Sequence, residues 1–315
     1  MTEVRALVSL ARPRGLLLIA LIPCAGFGFA LWDRGSTVAF GHVALPLLTL
    51  WLAWGLGHAG SLWLNAMLDR DEGGVLFGPS VRVPKIAGPL GYLALALSLA
   101  VAWPLGAIPL ACTLICAVLA VLYSHPRVAL KGRPLGGPLV NGVGYGTLSP
   151  LAGFAAADGI FSWRAYIIIA LIAVFILGVY FAAQAFQADE DRDRGYRTLV
   201  VTHGPRVTLT LARVCVGAAA LIAISAAAAG AFPRLVLLTI PAWLWSDRYL
   251  ARWRELPDGG DAKVAAQWVG RVCVAGLSAL LAVYVDQLHK LWIGAPPGGC
   301  GTAIVPEALR AICGS

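Results

Sequence analysis

Apolar residues fall along this chain in long, nearly unbroken runs, and short stretches holding most of the charge separate them. A helix that crosses a bilayer needs roughly 20 mostly apolar residues. On that measure nine segments are candidate spans: 15–31, 43–65, 90–105, 107–123, 135–154, 165–186, 207–229, 234–245 and 264–285. The eighth is short. Trp103-Pro104-Leu105-Gly106 and Pro109 divide the third from the fourth, since proline interrupts helical hydrogen bonding. The pattern predicts an all-α integral membrane fold, about nine transmembrane helices around a central cavity.

Composition agrees. Hydrophobic types make up 59% of the 315 residues and charged types 13%, against about a quarter charged in soluble domains. The first apolar run continues at near-spanning length and lacks a basic n-region and a small-residue cleavage site, so it reads as a helix and not as a removed signal peptide. The net charge of +8 does not signal nucleic acid, because no block of Lys and Arg stands alone.

The basic residues instead set an orientation. Nineteen of the 24 fall at the N-terminus or after helices two, four, six and eight; only Arg34, Arg164, Arg234, Lys290 and Arg310 remain for the other face. The N-terminus is therefore expected in the cytoplasm, and residues 289–315 form an extracytoplasmic tail. Cys300 and Cys313 in that tail would meet an oxidising compartment in a Gram-negative cell, where a disulfide is chemically available and two unpaired thiols are the alternative. Cys24, Cys112, Cys116, Cys215 and Cys273 lie in apolar runs and read as small hydrophobes.

A nine-residue segment starting at Asn65 (Asn65-Ala-Met-Leu-Asp69-Arg70-Asp71-Glu72-Gly73) aligns without gaps on one starting at Gln187 (Gln187-Ala-Asp189-Glu190-Asp191-Arg192-Asp193-Arg-Gly195). Both leave the same end of helices four apart, which predicts two pseudo-repeated halves facing a shared cavity, an arrangement common in membrane proteins. Seven of the 16 carboxylates gather there: Asp69, Asp71, Glu72, Asp189, Glu190, Asp191 and Asp193. Charge beside a bilayer is costly. Asn65 and Asp69 share a helix face at i,i+4, as do Gln187 and Asp191, with Gln184 a turn earlier. Hard oxygen donors suit Mg²⁺, which takes one or two carboxylates and completes its octahedron with water and phosphate. Asn65, Asp69, Asp189 and Asp191 are the expected metal ligands, and a diphosphate is the natural companion. Arg12 or Arg14, Arg70, Arg127, Lys131 and Arg192 would meet its charge.

The segments resemble the signatures of the UbiA superfamily of intramembrane prenyltransferases. In that family an Asn-Asp-x-x-Asp-x-x-x-Asp motif follows helix two; Asn65 and Asp69 match it, while Ala66 and Gly73 replace the other aspartates. In a second motif, Asp-x-x-x-Asp-x-x-x-Gly-x-x-Thr-Leu, Asp191, Gly195, Thr198 and Leu199 match, with Gln187 at the first acidic position. Tyr123-Ser124-His125-Pro126 with Lys131 looks like the family's Tyr-Ser-x-x-Pro-x-x-x-Lys loop, and Arg12-Pro13 like its N-terminal Arg-Pro.

The resemblance implies one UbiA-like domain over residues 1–315 and a cavity under a cytoplasmic cap. It implies Mg²⁺ as cofactor and a prenyl diphosphate and a lipid-soluble, usually aromatic, acceptor as partners. Asp69 and Asp191 would be catalytic, and Arg12, Arg70, Tyr123, Arg127, Lys131 and Arg192 would bind diphosphate. The three lost carboxylates weaken a second metal position. His58, near the Asn65 face of helix two, and Asn141 and Tyr145, at i,i+4 on helix five with Ser149 beyond, are acceptor-side candidates; interhelical hydrogen bonding is the alternative. Glycines such as Gly142, Gly144 and Gly146 are expected to permit close packing. A terpene cyclase using the same diphosphate site and a non-catalytic isoprenoid binder or transporter remain open. No transit segment precedes helix one, so a bacterial inner (plasma) membrane is expected.

Overall fold

A computed structural model describes residues 3–34, 40–69, 82–159 and 161–293. Among them the chain forms helices and no strand. Arg70, Asp71, Glu72, the side chains of Arg14 and Asp69, and Cys300 and Cys313 in the tail lie outside the described residues, as do the expectations placed on them.

Six helices among the described residues have the length and hydropathy to cross a bilayer, over Val43–Leu68, Ala87–Leu105, Ala107–Ser124, Trp163–Gln184, Leu199–Ala228 and Ala262–Asp286. The other three expected spans are helical, but each is broken, with a proline close to each break. The first divides into α2 (Pro13–Ile19) and α3 (Leu21–Arg34), after the short α1 (Glu3–Leu10). Pro23 has no N–H and its ring crowds the carbonyl four residues back, which favours a break between the two stretches, although the helix over Phe40–Asp69 accommodates Pro46. The fifth becomes α7 (Gly136–Asn141), a π-helical turn over Gly142–Leu148, and α8 (Ser149–Ala156), with Pro150 at the start of α8. The eighth begins as a 3₁₀ segment, Arg234–Thr239, before α12 (Ile240–Trp253).

The continuous helices are α4 (Phe40–Asp69), α5 (Ala87–Ala102), α6 (Ala107–Ser124), α9 (Trp163–Gln184), α11 (Leu199–Ala228) and α13 (Ala262–Ile293), and the short α10 (Ala188–Asp193) follows α9. Gly204, at φ 81°, and Pro205 bend α11, so its straight portion begins where the apolar run at 207 does.

The most extensive packing joins α4 to α5, α9 to α11 and α3 to α8. In a bilayer apolar side chains gain nothing by leaving lipid, so close contact relies on small residues. At the crossing of α3 and α8 a Cβ on Gly26 would stand 2.0 Å from the Pro150 carbonyl oxygen, and one on Gly153 1.8 Å from that of Pro23. Only glycine fits at either point. Gly146 likewise lies against Ala173, but a Cβ on Gly144 would find only the Cys116 sulfur, at 3.8 Å, so that glycine is not required for packing. Leu93, Leu97, Ile115, Val118 and Leu221 are exposed on the outside, as lipid-facing positions would be.

At one end of the bundle the polar groups close on each other. Asp33 accepts from Ser162 Oγ at 2.9 Å and from Arg164 at 3.2 Å, Arg34 donates to the Ala157 and Asp158 carbonyls, and the Trp32 indole donates to Asp286 at 2.7 Å. The opposite end is built differently.

Candidate active site

A cavity of about 330 Å³ opens at the end of the bundle where α4, α6 and α9 finish. Eight of the residues expected to bind metal, diphosphate or acceptor line it: Arg12, His58, Asn65, Tyr123, Lys131, Asn141, Tyr145 and Asp191.

Arg12 is set by the backbone. It adopts φ 48°, a left-handed conformation uncommon outside glycine, and turns the chain from α1 into α2 ahead of Pro13, which is pre-organised for a first helical position. Asn65 lies one turn before the end of α4. Its amide oxygen accepts from Lys131 Nζ at 2.8 Å and from Ser124 Oγ at 3.0 Å. Lys131 sits in a 3₁₀ turn, Leu130–Gly132, which Ala129 enters at φ 40°. Only 7% of Lys131 is exposed, so its ammonium depends on partners such as Asn65.

Asp191 faces this group from the second half of the chain and is 8% exposed. Its carboxylate accepts from Thr198 Oγ1 at 2.7 Å, and its backbone carbonyl accepts from the Tyr196 N–H at 2.8 Å. The Tyr196 ring covers Gly132, where a Cβ would stand 2.6 Å from it, and the Arg197 N–H donates to the Gly132 carbonyl at 2.9 Å. The 130–132 turn and the 195–198 loop are thus joined across the cavity. That junction holds Lys131 and Asp191 in one wall system.

The face of α10 differs from expectation. Gln187, Glu190, Asp191 and Arg194 line the cavity, a spacing of 3, 1 and 3 that places them on one helical face. Glu190 and Arg194 pair at 2.7 Å, both half-buried. Asp189, expected as a ligand, projects from the opposite face with 94% of its side chain exposed and pairs with Arg192, which was expected to bind diphosphate. Arg127 is also exposed and outside the cavity wall. Glu190 and Arg194 are therefore the charged neighbours that the motif comparison overlooked, and helical pitch through the Gln187 segment was the signal for them.

Deeper in, the walls become apolar, with a few hydroxyls and one half-buried pair. His58 Nδ1 lies 2.6 Å from the Tyr145 hydroxyl, the rings meeting edge to face. Tyr145 is carried by the π turn, a distortion often found at functional sites. Asn141 donates to the Gly137 carbonyl at 3.0 Å, one turn back on its own helix. Tyr180 accepts from Gln184 Nε2 at 3.0 Å, and its hydroxyl would strike a Cβ at Gly137, 1.9 Å away, so that glycine makes room for it.

Among the described residues no group of three His, Cys, Asp or Glu side chains is arranged to hold a metal. The polar end of the cavity lining is rich in oxygen donors: the Asn65 and Gln187 amides and the Glu190 and Asp191 carboxylates. That set fits Mg²⁺, which prefers hard oxygen and leaves positions for water and phosphate, and it does not suit a thiophilic or imidazole-seeking ion.

Comparison with known proteins follows the same line. The structure resembles that of a UbiA homolog from Archaeoglobus fulgidus bound to DMAPP and Mg²⁺, with a TM-score of 0.67 at 19% identity over 90% of this chain and 99% of that one. The same homolog bound to GPP and Mg²⁺ gives 0.65 at 18%, over 90% and 99%. A digeranylgeranylglyceryl phosphate synthase gives 0.60 at 16%, over 92% and 100%. No curated protein matches. At such identities these structures speak for the fold, but a model of the UbiA prenyltransferase family also matches residues 20–270, and the chain belongs to that family.

Proposed function

We propose that the protein transfers a prenyl group from a prenyl diphosphate to a lipid-soluble, aromatic acceptor inside the membrane. The observation that carries this reading is the polarity of the cavity. Buried Lys131 and Asp191 stand with Asn65, Glu190 and Arg194 at one end, and hydrocarbon side chains form much of the remainder. An amphiphile with an anionic head and an apolar tail matches that gradient.

In this reading Asn65 and Asp191, with Glu190 and Gln187 beside them and Asp69 one turn beyond Asn65, would hold Mg²⁺, Lys131 moving from the Asn65 amide oxygen to phosphate. Bound there, the ion would offset charge on the departing diphosphate, the usual electrostatic contribution to leaving-group loss. Ser124 and Thr198 fix the orientation of Asn65 and Asp191. Lys131, Arg12 and Arg194 meet the remaining phosphate charge, and Tyr123 borders the same space. The exposed Asp189, Arg127 and Arg192 are left out of the site. The apolar depth keeps water from an allylic cation. There His58 and Tyr145 form a hydrogen-bonded pair to orient an acceptor and receive its ring proton.

The charge asymmetry of the sequence supports placing the Asn65/Asp191 end in the cytoplasm, and a bacterial plasma membrane is the setting proposed. The parallel between the α4–α5 and α9–α11 pairs supports two related halves. With the three broken segments also crossing, the bundle would count nine spans.

Purified protein given geranyl diphosphate, Mg²⁺ and a lipid-soluble phenol is expected to form the alkylated phenol and free diphosphate. Hydrocarbon or alcohol formed without any acceptor would instead indicate a cyclase. Absence of diphosphate release with every donor length and acceptor tried would overturn both enzymatic readings.

A further inference from the structure

A second cavity of about 200 Å³ lies between α3, α9, α11, α12 and α13, deeper in the bundle than the polar end of the site. Apart from the Trp243 indole and the Cys273 thiol, its lining side chains are hydrocarbon, so a ligand held there must itself be apolar. Ile176 is the one residue shared by the walls of the two cavities, and it is only 8% exposed.

The arrangement along α9 makes this more than adjacency. Ile168, Leu171, Ile172, Phe175 and Ile176 line the second cavity; Ile176, Val179, Tyr180, Ala183 and Gln184 line the first. Each set has the i, i+3, i+4, i+7, i+8 spacing of one helix face, and the two join at Ile176 into a single stripe. Over its 16 residue steps, about 24 Å at helical rise, the stripe passes from hydrocarbon at Ile168 to phenol and amide at Tyr180 and Gln184. A ligand following it would place its head beside Asp191 and its tail past Ile176.

Resting on the prenyl-diphosphate reading above, we infer that the second cavity receives the distal isoprene units of a long donor. Ile176 is then a specificity-determining partition: a short chain ends before it, and a longer one displaces its side chain to continue. The almost wholly apolar lining and the continuity of the stripe with the polar site favour the donor tail over an unrelated lipid.

The direct test uses the intact protein in lipid nanodiscs and geranylgeranyl diphosphate carrying a photoreactive group at its far end. Crosslinks on residues such as Phe29, Phe232 and Leu280, displaced by unlabelled geranylgeranyl diphosphate, are expected. Crosslinks confined to first-cavity residues such as Trp54 and Leu95 would overturn the inference. So would label at the second cavity that lipid displaces and prenyl diphosphate does not. No displaceable label anywhere would contradict the donor reading itself, and the inference with it.

A variant reads the same point through affinity. A Cβ at Gly276 meets only the Phe175 ring, at 3.9 Å, so α13 can carry Gly276→Phe into the second cavity without backbone strain. The ratio of geranylgeranyl to geranyl diphosphate affinity should fall about tenfold or more, as expected when several buried methylenes lose their site. Ile176→Ala, which removes the partition, should raise that ratio. An unchanged ratio in both variants would overturn the role assigned to the cavity.

Discussion

The two ends of the bundle use the same residue types in opposite ways. Around Asp33 the carboxylates, arginines and indole satisfy one another and backbone carbonyls. Around Asp191 and Lys131 more deeply buried groups also have partners, yet each lines a cavity. Burying charge costs several kcal/mol unless it is well paired. At the Asp33 end the return is a closed junction between α3, α8, α9 and α13. At the Asp191 end the cost is sustained beside space large enough for a ligand, which is the usual mark of function over stability.

Substitutions can break this contrast. The largest effect is expected for Asp191→Ala, which should lower diphosphate release about 10²- to 10³-fold, the range for losing one preorganised electrostatic group; initial rates at saturating Mg²⁺ would measure it. Lys131→Met should weaken prenyl diphosphate binding about tenfold to a hundredfold, since hydrogen bonds from a charged donor contribute roughly 1.5–3 kcal/mol. Titration calorimetry would show this, with a thermal melt to confirm folding. At the other end, Asp33→Asn should lower stability by about 1 kcal/mol, a modest figure because Arg164 is partly exposed, and should leave diphosphate affinity unchanged. A large affinity loss there would erase the distinction between the ends. The smallest effect belongs to Asp189→Ala: turnover within about twofold of the parent, as for surface positions away from special features. A loss like that of Asp191→Ala would return Asp189 to the metal site and contradict the orientation of α10.

Helix type, the meeting of the two polar segments and several polar residues of the cavity wall could be read from the sequence, because each depends on local pattern. Apolar runs mark helices, and Asn65, Lys131 and Asp191 stand in recognisable spacings. What escaped depends on geometry that a motif does not encode. The choice between Asp189 and Glu190 turns on the pitch of a six-residue helix; counting carboxylates treats them alike. The breaks at Pro23 and Pro150 were open to sequence reasoning but were masked by unbroken hydrophobicity. Ser124 and Thr198 became visible as orienting groups only when the chain brought them to Asn65 and Asp191. Ile176 carries no sequence signal at all. An isoleucine in an apolar helix gains meaning only from the spaces on its two sides.

The central claim is that one polar end serves a prenyl diphosphate. Its most direct test is a structure of the protein with geranyl diphosphate and Mg²⁺. The account predicts phosphate density in reach of Lys131, a metal between Asn65 and Asp191, and the prenyl chain running down α9 toward Ile176. Diphosphate bound on the exposed side of α10 against Asp189 and Arg192, with the Lys131/Asp191 cavity unchanged, would contradict it.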